Sequence, residues 1–282
     1  MGKITVAKYI RKYFLEPSFL LLIFFRFDCS AQIIETRIKV PKDGQQIVQT
    51  EYTGKEPTNP QETEIYEPQV PKVSPSINGS APSDAIVLFD GSDFDEWIMV
   101  KDSSSVVWNL NNDGSMTVKD KSGFIQTKRS FGDVQLHLEW KSPKSIKGDG
   151  QHRANSGVFL QGLYEVQILD NNNNSTYVNG QVGSIYKQHI PLAMASVPSG
   201  KWNNFDIIFR APIFNSNGDK IRPGTITVIH NGVLIQDHVE IKGVTRARGW
   251  PKNPKHGKRP LTLQDHKDNS RVSFRNIWIR EL

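Results

Sequence analysis

Residues 164–170 place two carboxylates and an amide on one short segment with the pattern of a β-strand. The segment reads Tyr-Glu-Val-Gln-Ile-Leu-Asp. Side chains on a strand alternate between faces, so the apolar residues face a core while Glu165 and Gln167 point away from it. A β-bulge before Asp170 would bring its carboxylate onto the same face. We therefore predict Glu165 and Asp170 as catalytic carboxylates and Gln167 as a residue that orients a substrate.

A second segment, Leu263-Gln264-Asp265-His266, supplies a histidine. If Leu263 faces the core, Gln264 and His266 share the opposite face. An unperturbed histidine has a pKa of about 6.5, near neutrality, whereas a carboxyl group reaches that range only when burial raises its pKa. His266 is therefore predicted as the general base, and Gln264 as a substrate-binding residue.

Three further residues are predicted to bind substrate. Tyr186 combines an apolar ring with a hydroxyl group, which suits both stacking and hydrogen bonding. Arg153 and Asn155 stand at the entrance of an apolar strand, where a loop would meet a cleft. The alternative for the sequence Asn155-Ser156-Gly157 is a turn.

Short strands must position all of these residues. Segments 134–140 and 205–210 alternate apolar and polar residues, and segment 225–235 carries Asn231-Gly232, the strongest two-residue hairpin signal. No stretch has helical periodicity. We predict an all-β domain over residues 84–282, built as a two-sheet antiparallel jelly-roll sandwich.

Some charged residues fit a structural role instead. His137 and Glu139 lie on the polar side of segment 134–140 with no loop or motif around them, which indicates solvated surface. Arg275, in Phe274-Arg275-Asn276-Ile277, is predicted to form a structural ion pair.

The N-terminal residues are typical of an exported protein. Basic residues precede the apolar run 19–25, and the small residues Cys29-Ser30-Ala31 follow it, which predicts a signal peptide over residues 1–31. The apolar run is too short for a transmembrane span. The alternative is a lipoprotein anchored through Cys29, although Phe27-Asp28 lacks the small residues that such processing prefers. We expect a periplasmic or secreted protein, with residues 32–83 as a Pro-rich extended arm or linker.

Composition excludes several classes of function. Cys29 is the only cysteine, so the chain after residue 31 would have neither disulfides nor thiol catalysis. The formal net charge is +6, and residues 1–31 hold five basic and two acidic residues, so the remainder carries about +3. That charge is too small to predict a nucleic-acid partner.

Residues 265–269 offer oxygen and nitrogen ligands at close spacing through Asp265, His266, Asp268 and Asn269. They match no recognised coordination pattern, so no metal ligand and no cofactor is predicted. The sequence leaves metal dependence and oligomeric state open.

Ordered motifs along the chain carry a family resemblance. They are Leu88-Phe89-Asp90-Gly91 leading to Trp97, Asn155-Ser156-Gly157-Val158-Phe159-Leu160, the strand 164–170, Gly183-Ser184-Ile185-Tyr186, Lys201-Trp202-Asn203, Asn231-Gly232, Leu263-Gln264-Asp265-His266 and Phe274-Arg275-Asn276-Ile277. From about residue 84 to the C-terminus they resemble the bacterial 3-keto-disaccharide hydrolase domain family. The resemblance implies the concanavalin A-like lectin and glucanase fold. It also implies a carbohydrate substrate, a glycoside whose sugar ring carries a ketone at carbon 3.

The strand also resembles the bulged Glu-x-Asp-x-x-Glu signature of glucanases on that fold, with two departures. Gln167 replaces the Asp and cannot titrate, and Asp170 replaces the acid/base Glu with a shorter side chain. These departures disfavour the double displacement of retaining hydrolases. Elimination fits better, because a ketone at carbon 3 acidifies the hydrogen on carbon 2, the aglycone can leave, and water then adds. The alternatives are a non-catalytic lectin-like carbohydrate-binding module and, from the Pro-rich arm, an adhesion or scaffold protein.

Overall fold

The computed structural model of the protein describes residues 35–39, 47–51 and 56–282. The chain divides into two units, residues 1–71 and 72–282. In the first unit, strands β1 (Glu35–Lys39) and β2 (Ile47–Glu51) pair antiparallel within the segment predicted as an extended arm, and Pro60–Thr63 forms one 3-10 turn. The predicted signal peptide, with Cys29, lies outside the described residues.

The second unit consists of short strands. They are β3 (Ile86–Phe89), β4 (Trp97–Met99), β5 (Asn109–Leu110), β6 (Met116–Thr117), β7 (Ile125–Thr127), β8 (Val134–Lys141), β9 (Ser156–Leu160), β10 (Tyr164–Ile168), β11 (Asn203–Arg210), β12 (Ile213–Phe214), β13 (Lys220–Arg222), β14 (Thr225–His230), β15 (Val233–Glu240), β16 (Thr262–Leu263) and β17 (Ser273–Glu281). Two single 3-10 turns, Gly150–His152 and Val178–Gly180, lie in the loops. Over the described residues, no helix is long and apolar enough to cross a bilayer.

Two antiparallel sheets form the body of this unit. The smaller sheet has the strand order β10-β9-β16-β7-β4. The larger sheet has the order β15-β14-β11-β8-β17-β6-β5, with β3 also paired to β17. The predicted hairpin is present, because β14 and β15 meet at Asn231 and Gly232, both with the positive φ that this turn requires.

One hydrophobic core joins the two sheets because each strand turns its apolar residues inward. In β10 those residues are Tyr164, Val166 and Ile168, and all are buried. The Tyr164 ring packs against Phe209 of β11 in the other sheet, with 5.9 Å between ring centroids. The prediction of an all-β, two-sheet antiparallel sandwich is confirmed.

Candidate active site

The outer face of the smaller sheet, turned away from the core, carries a polar row across three strands. Gln167 of β10 pairs with Gly157 of β9, and the Gln264 N–H, just after β16, donates to the Gly157 carbonyl at 3.1 Å. In the next row Glu165 pairs with Phe159. We call the surface formed by Glu165, Gln167, Gly157 and Gln264 the polar face.

Gly157 lies between Gln167 and Gln264 in the polar row. A Cβ atom at this position would lie 2.6 Å from Glu165 Oε1 and 2.9 Å from the Phe159 ring. Real Cβ contacts are longer, so the Glu165 carboxyl group occupies space that only a glycine leaves free. The missing side chain therefore lets the carboxyl group lie between the two glutamine side chains of the row.

The Glu165 carboxyl group is buried without a partner. The residue is 5% exposed, and among the described residues no side chain or backbone group donates a hydrogen bond to its carboxyl oxygens. Burial in low-dielectric surroundings disfavours the charged form and raises the pKa of Glu165 to about 8. A carboxyl group that titrates near neutral pH can both accept and return a proton, which is the property of a general base or acid.

Two glutamines beside this carboxyl group have free acceptors. The Gln167 amide nitrogen donates to Asn155 Oδ1 at 3.2 Å and approaches Gln151 Oε1 at 3.4 Å. Gln167 Oε1 and Gln264 Oε1 are buried and have no hydrogen-bond partner in the part of the chain that the structure describes. Buried acceptors normally have a donor, so these two oxygens are available to accept hydrogen bonds from a ligand.

Tyr186 lies on the other side of Glu165. Its backbone N–H donates to the Glu165 carbonyl at 3.2 Å, and its hydroxyl group shares a 2.5 Å hydrogen bond with Tyr177. Burial, the Tyr177 hydroxyl and the negative charge of Glu165 raise the pKa of Tyr186 above its ordinary value. Tyr186 therefore remains protonated and can donate a hydrogen bond.

Asp170 does not join this site, which corrects the bulge expected from the sequence. β10 pairs regularly with β9 up to Ile168. Beyond that point the Asp170 N–H donates to the Arg153 carbonyl, so the segment before β9 has one residue more than the segment that follows β10. This additional residue is Ala154, which has a φ of +47°. Because the irregularity falls on the neighbouring strand, Asp170 keeps the inward direction of Ile168.

The buried Asp170 carboxylate is a structural anchor. It accepts hydrogen bonds from Ser142 Oγ and Ser199 Oγ, both at 2.7 Å, and from Arg153 Nε at 3.3 Å. The predicted substrate ligand Arg153 is thus paired with Asp170. These contacts connect the end of β10 to the larger sheet, and Asp170 and Arg153 stay predictions as catalytic and substrate-binding residues.

His266 lies two residues beyond Gln264, in the loop after β16. Its Nδ1 is 2.8 Å from Asp268 Oδ2, and its side chain is 31% exposed. His152 approaches the same aspartate, so this loop and the Gly150–His152 turn bring together three residues that could hold a metal ion.

Four residues of the site were missed by the sequence analysis: Gly157, Gln151, Tyr177 and His152. A glycine inside a strand pattern is a recognised sign of close approach and could have singled out Gly157. The other three lie in loops that carry no local signal.

Two comparisons with known proteins find relatives of this chain. Residues 84–280 match the profile of the 3-keto-alpha-glucoside-1,2-lyase-like domain, which confirms the predicted 3-keto-disaccharide hydrolase family. A Parabacteroides distasonis ATCC 8503 protein, provisionally named a glycosyl hydrolase, is 51% identical; its crystal structure superposes with a TM-score of 0.78 over 82% of this chain and 100% of its own.

A second protein of that organism, with the same provisional name, is 20% identical, with a TM-score of 0.53 over 71% of this chain and 94% of its own. At that identity the likeness shows the fold alone. No protein of curated function matches the chain. Because the family profile spans most of the sequence, the protein belongs to the 3-keto-alpha-glucoside-1,2-lyase-like domain family.

Proposed function

We propose that this protein is an enzyme that cleaves 3-keto-glycosides and that Glu165 is the base that starts the reaction. The family description supports the substrate class, and the provisional name of the 51% identical relative supports action on glycosidic bonds. The observation that carries the proposal is the Glu165 carboxyl group, which is buried without a partner over Gly157 and has a pKa raised to about 8.

The reaction is an elimination followed by hydration. Glu165 takes the carbon 2 hydrogen as a proton, and the electron pair of that bond delocalises onto the oxygen at carbon 3 as an enolate. Collapse of the enolate forms the double bond between carbons 1 and 2 and breaks the bond from carbon 1 to the aglycone oxygen, which leaves with the proton that Glu165 returns. Water then adds across the double bond, so the net change is hydrolysis.

The neighbouring side chains supply the remaining roles. Tyr186 keeps its proton and donates a hydrogen bond where negative charge develops on oxygen. Gln167 and Gln264 accept hydrogen bonds from sugar hydroxyl groups through their free oxygens, which fixes the ring over Glu165.

This assignment moves the base from His266, the residue expected from the sequence, to Glu165. The expectation for His266 depended on its ordinary pKa being near neutrality. Burial raises the pKa of Glu165 to about 8, which supports Glu165 as the base, and the His266 Nδ1 lies 2.8 Å from Asp268 Oδ2. Deuterium exchange distinguishes Glu165 from His266 as the base. Exchange of the carbon 2 hydrogen with deuterated water should stop in Glu165→Gln and persist in His266→Ala; the reverse pattern would return the base to His266.

The substrate class is tested by incubating the purified protein with a 3-keto-disaccharide and, in parallel, with its unoxidised parent. We expect cleavage of the keto sugar only, because only that sugar has an acidic carbon 2 hydrogen. Equal turnover of both sugars would contradict the ketone-dependent mechanism. Saturable binding without product would favour the lectin-like alternative.

We further propose that the protein is exported after removal of residues 1–31. The basic and apolar N-terminal pattern supports this. Mass spectrometry of the protein expressed with its own N-terminus should give a chain that begins at Gln32. A lipid-modified chain that begins at Cys29 would instead show the lipoprotein alternative.

A further inference from the structure

Two histidines and an aspartate from segments far apart in sequence meet in the loops beside the polar face. One ligand atom of each of His152, His266 and Asp268 lies within 4.8 Å of the other two. Asp268 Oδ2 is 2.8 Å from His266 Nδ1 and 3.8 Å from His152 Nδ1. Two imidazole nitrogens and a carboxylate oxygen form the donor set of many three-residue transition-metal sites.

One oxygen of the Asp268 carboxylate, Oδ1, has no partner among the described residues. The Asp268 side chain is 11% exposed, and this oxygen atom is buried. A buried carboxylate oxygen without a partner is costly. A cavity of about 50 Å³ lies beside it, bordered by His152, Asp268 and Ser270, and the Ser270 hydroxyl group also lacks a partner. A bound ion and its water would fill this cavity and would contact Asp268 Oδ1 and the Ser270 hydroxyl group.

The backbone holds these donors in place. The Asp265 carboxylate accepts hydrogen bonds from the N–H groups of Lys267 and Gly123, both at 2.9 Å, and the Asn269 N–H donates to Asp120 at 2.9 Å. Lys267 and Asn269 have φ values of +62° and +59°. Left-handed conformations of residues other than glycine persist only where the surroundings impose them, and they are common at ligand sites. The loop is thus preorganised before any ligand binds.

We propose that His152, His266 and Asp268 bind one divalent first-row transition metal ion, of the Zn²⁺ class. Nitrogen ligands favour such an ion over Ca²⁺ or Mg²⁺, which prefer oxygen. Three protein ligands leave coordination positions open for water or substrate oxygen. Lys147 and Arg271 line the same cavity, so an oxygen anion is the expected additional ligand. The proposal concerns binding and does not rest on the reaction assigned to Glu165.

The ligand residues neighbour residues of the polar face along the chain. His152 follows Gln151, whose side chain approaches that of Gln167, and His266 follows Gln264 by two residues. A metal ion at this position would stand at one end of the row of free acceptors. It would be available to hold an oxygen atom of a sugar that binds over Glu165.

The test is metal binding by the full chain, purified without a histidine tag, stripped with a chelator and titrated with Zn²⁺ or Co²⁺ in the absence of sugar. We expect one equivalent of metal, and the Co²⁺ form should show visible d–d absorption. His152→Ala should weaken binding at least about tenfold, because even residues outside the ligand set commonly cost that much. His152 is largely exposed, so this variant should keep the fold.

His238→Ala is the matched control, because His238 is an exposed histidine on β15 away from the cluster, and it should bind metal as the wild type does. Asp268→Asn should weaken binding like His152→Ala, with thermal melting used to confirm folding. Absence of stoichiometric binding, or unchanged affinity in both His152→Ala and Asp268→Asn, would overturn the proposal. Equal affinity for Ca²⁺ and Zn²⁺ would overturn the metal class. Because no sugar is present, these outcomes are independent of whether the protein cleaves 3-keto-glycosides.

Discussion

Glu139 and Glu165 both point away from the core on the outer faces of the two sheets, but their surroundings differ. The Glu139 carboxylate, on β8, is 2.7 Å from Arg275 Nη2 and accepts a hydrogen bond from Asn276 Nδ2 at 2.9 Å. The Glu165 carboxyl group, on β10, has no such partner within the described part of the chain. One sheet carries an ionic network, and the other carries a buried acid that has no protein partner among the described residues.

The same contrast extends to the neighbouring residues. On the larger sheet, His137 stacks on Trp278 with ring centroids 5.2 Å apart and bonds Asp206 at 2.7 Å. Gly79 covers this region, and its carbonyl accepts a hydrogen bond from the Trp278 indole. On the smaller sheet, two glutamine oxygens remain without donors. Unsatisfied buried polar groups reduce stability and are retained where they serve a ligand, so the two oxygens beside Glu165 support the proposal that substrate binds on the smaller sheet.

The largest expected effect separates the two glutamates by activity. Glu165→Gln removes the proposed proton acceptor and should lower kcat on a 3-keto-disaccharide by roughly 10²-fold or more, the usual scale for a general base. Glu139→Gln, the matched control, should leave kcat within about twofold. Steady-state kinetics of both variants with circular dichroism as the fold control provides the measurement. Comparable losses in both variants would remove the distinction between the two faces.

Gly157→Ala tests the space under Glu165. The added Cβ would lie 2.6 Å from Glu165 Oε1, so the carboxyl group must move. Misplacement of a reacting group by about 1 Å can cost about 10²-fold, so we expect a loss in kcat/KM of roughly tenfold to 10²-fold. The apolar core is on the opposite side of the sheet, so near-UV circular dichroism should remain close to that of the wild type. Full activity in this variant would show that the carboxyl position over Gly157 is unimportant.

The raised pKa of Glu165 predicts the pH dependence of stability. Its pKa rises from 4.5 to about 8 on folding, so its contribution to stability is fully present below about pH 4.5 and is lost as the pH rises through about 8. The Glu165→Gln variant has no carboxyl group at this position, so its stability does not fall in this way as the pH rises. We therefore expect the variant to match the wild type near pH 4.5 and to melt several degrees higher above pH 8. A Tm below that of the wild type at alkaline pH would indicate that the carboxylate has partners.

Glu139→Gln should have the smallest effect of these variants. It should lower the Tm, whereas Glu165→Gln should raise it at alkaline pH. The variant loses the charge-assisted contact to Arg275, a partly exposed pair, which costs about 1 kcal/mol. In a domain of this size that corresponds to a fall in Tm of about 2–4 °C. Thermal melting at neutral pH measures it. An unchanged or raised Tm would show that the Glu139 carboxylate, like that of Glu165, is not stabilised by a partner.

Local sequence patterns determined much of the fold. Alternation in segments 134–140 and 205–210 corresponds to β8 and β11, and Asn231-Gly232 forms the predicted hairpin. The expected structural ion pair of Arg275 is present. His137, expected as solvated surface, is 4% exposed, because residues near Gly79 and Trp278 cover it.

The sequence by itself also placed Glu165 and Gln167 on the outward side of one strand, since strand alternation has a period of two and depends only on neighbouring residues. Contacts between distant segments decided the rest. The direction of Asp170 depends on Ser142 and Ser199, and the cluster at Asp268 depends on His152. The acidity of Glu165 depends on burial, which is a property of everything packed around the carboxyl group. Strand periodicity predicts which way a side chain points, whereas the packing of the whole sandwich decides which groups that side chain contacts.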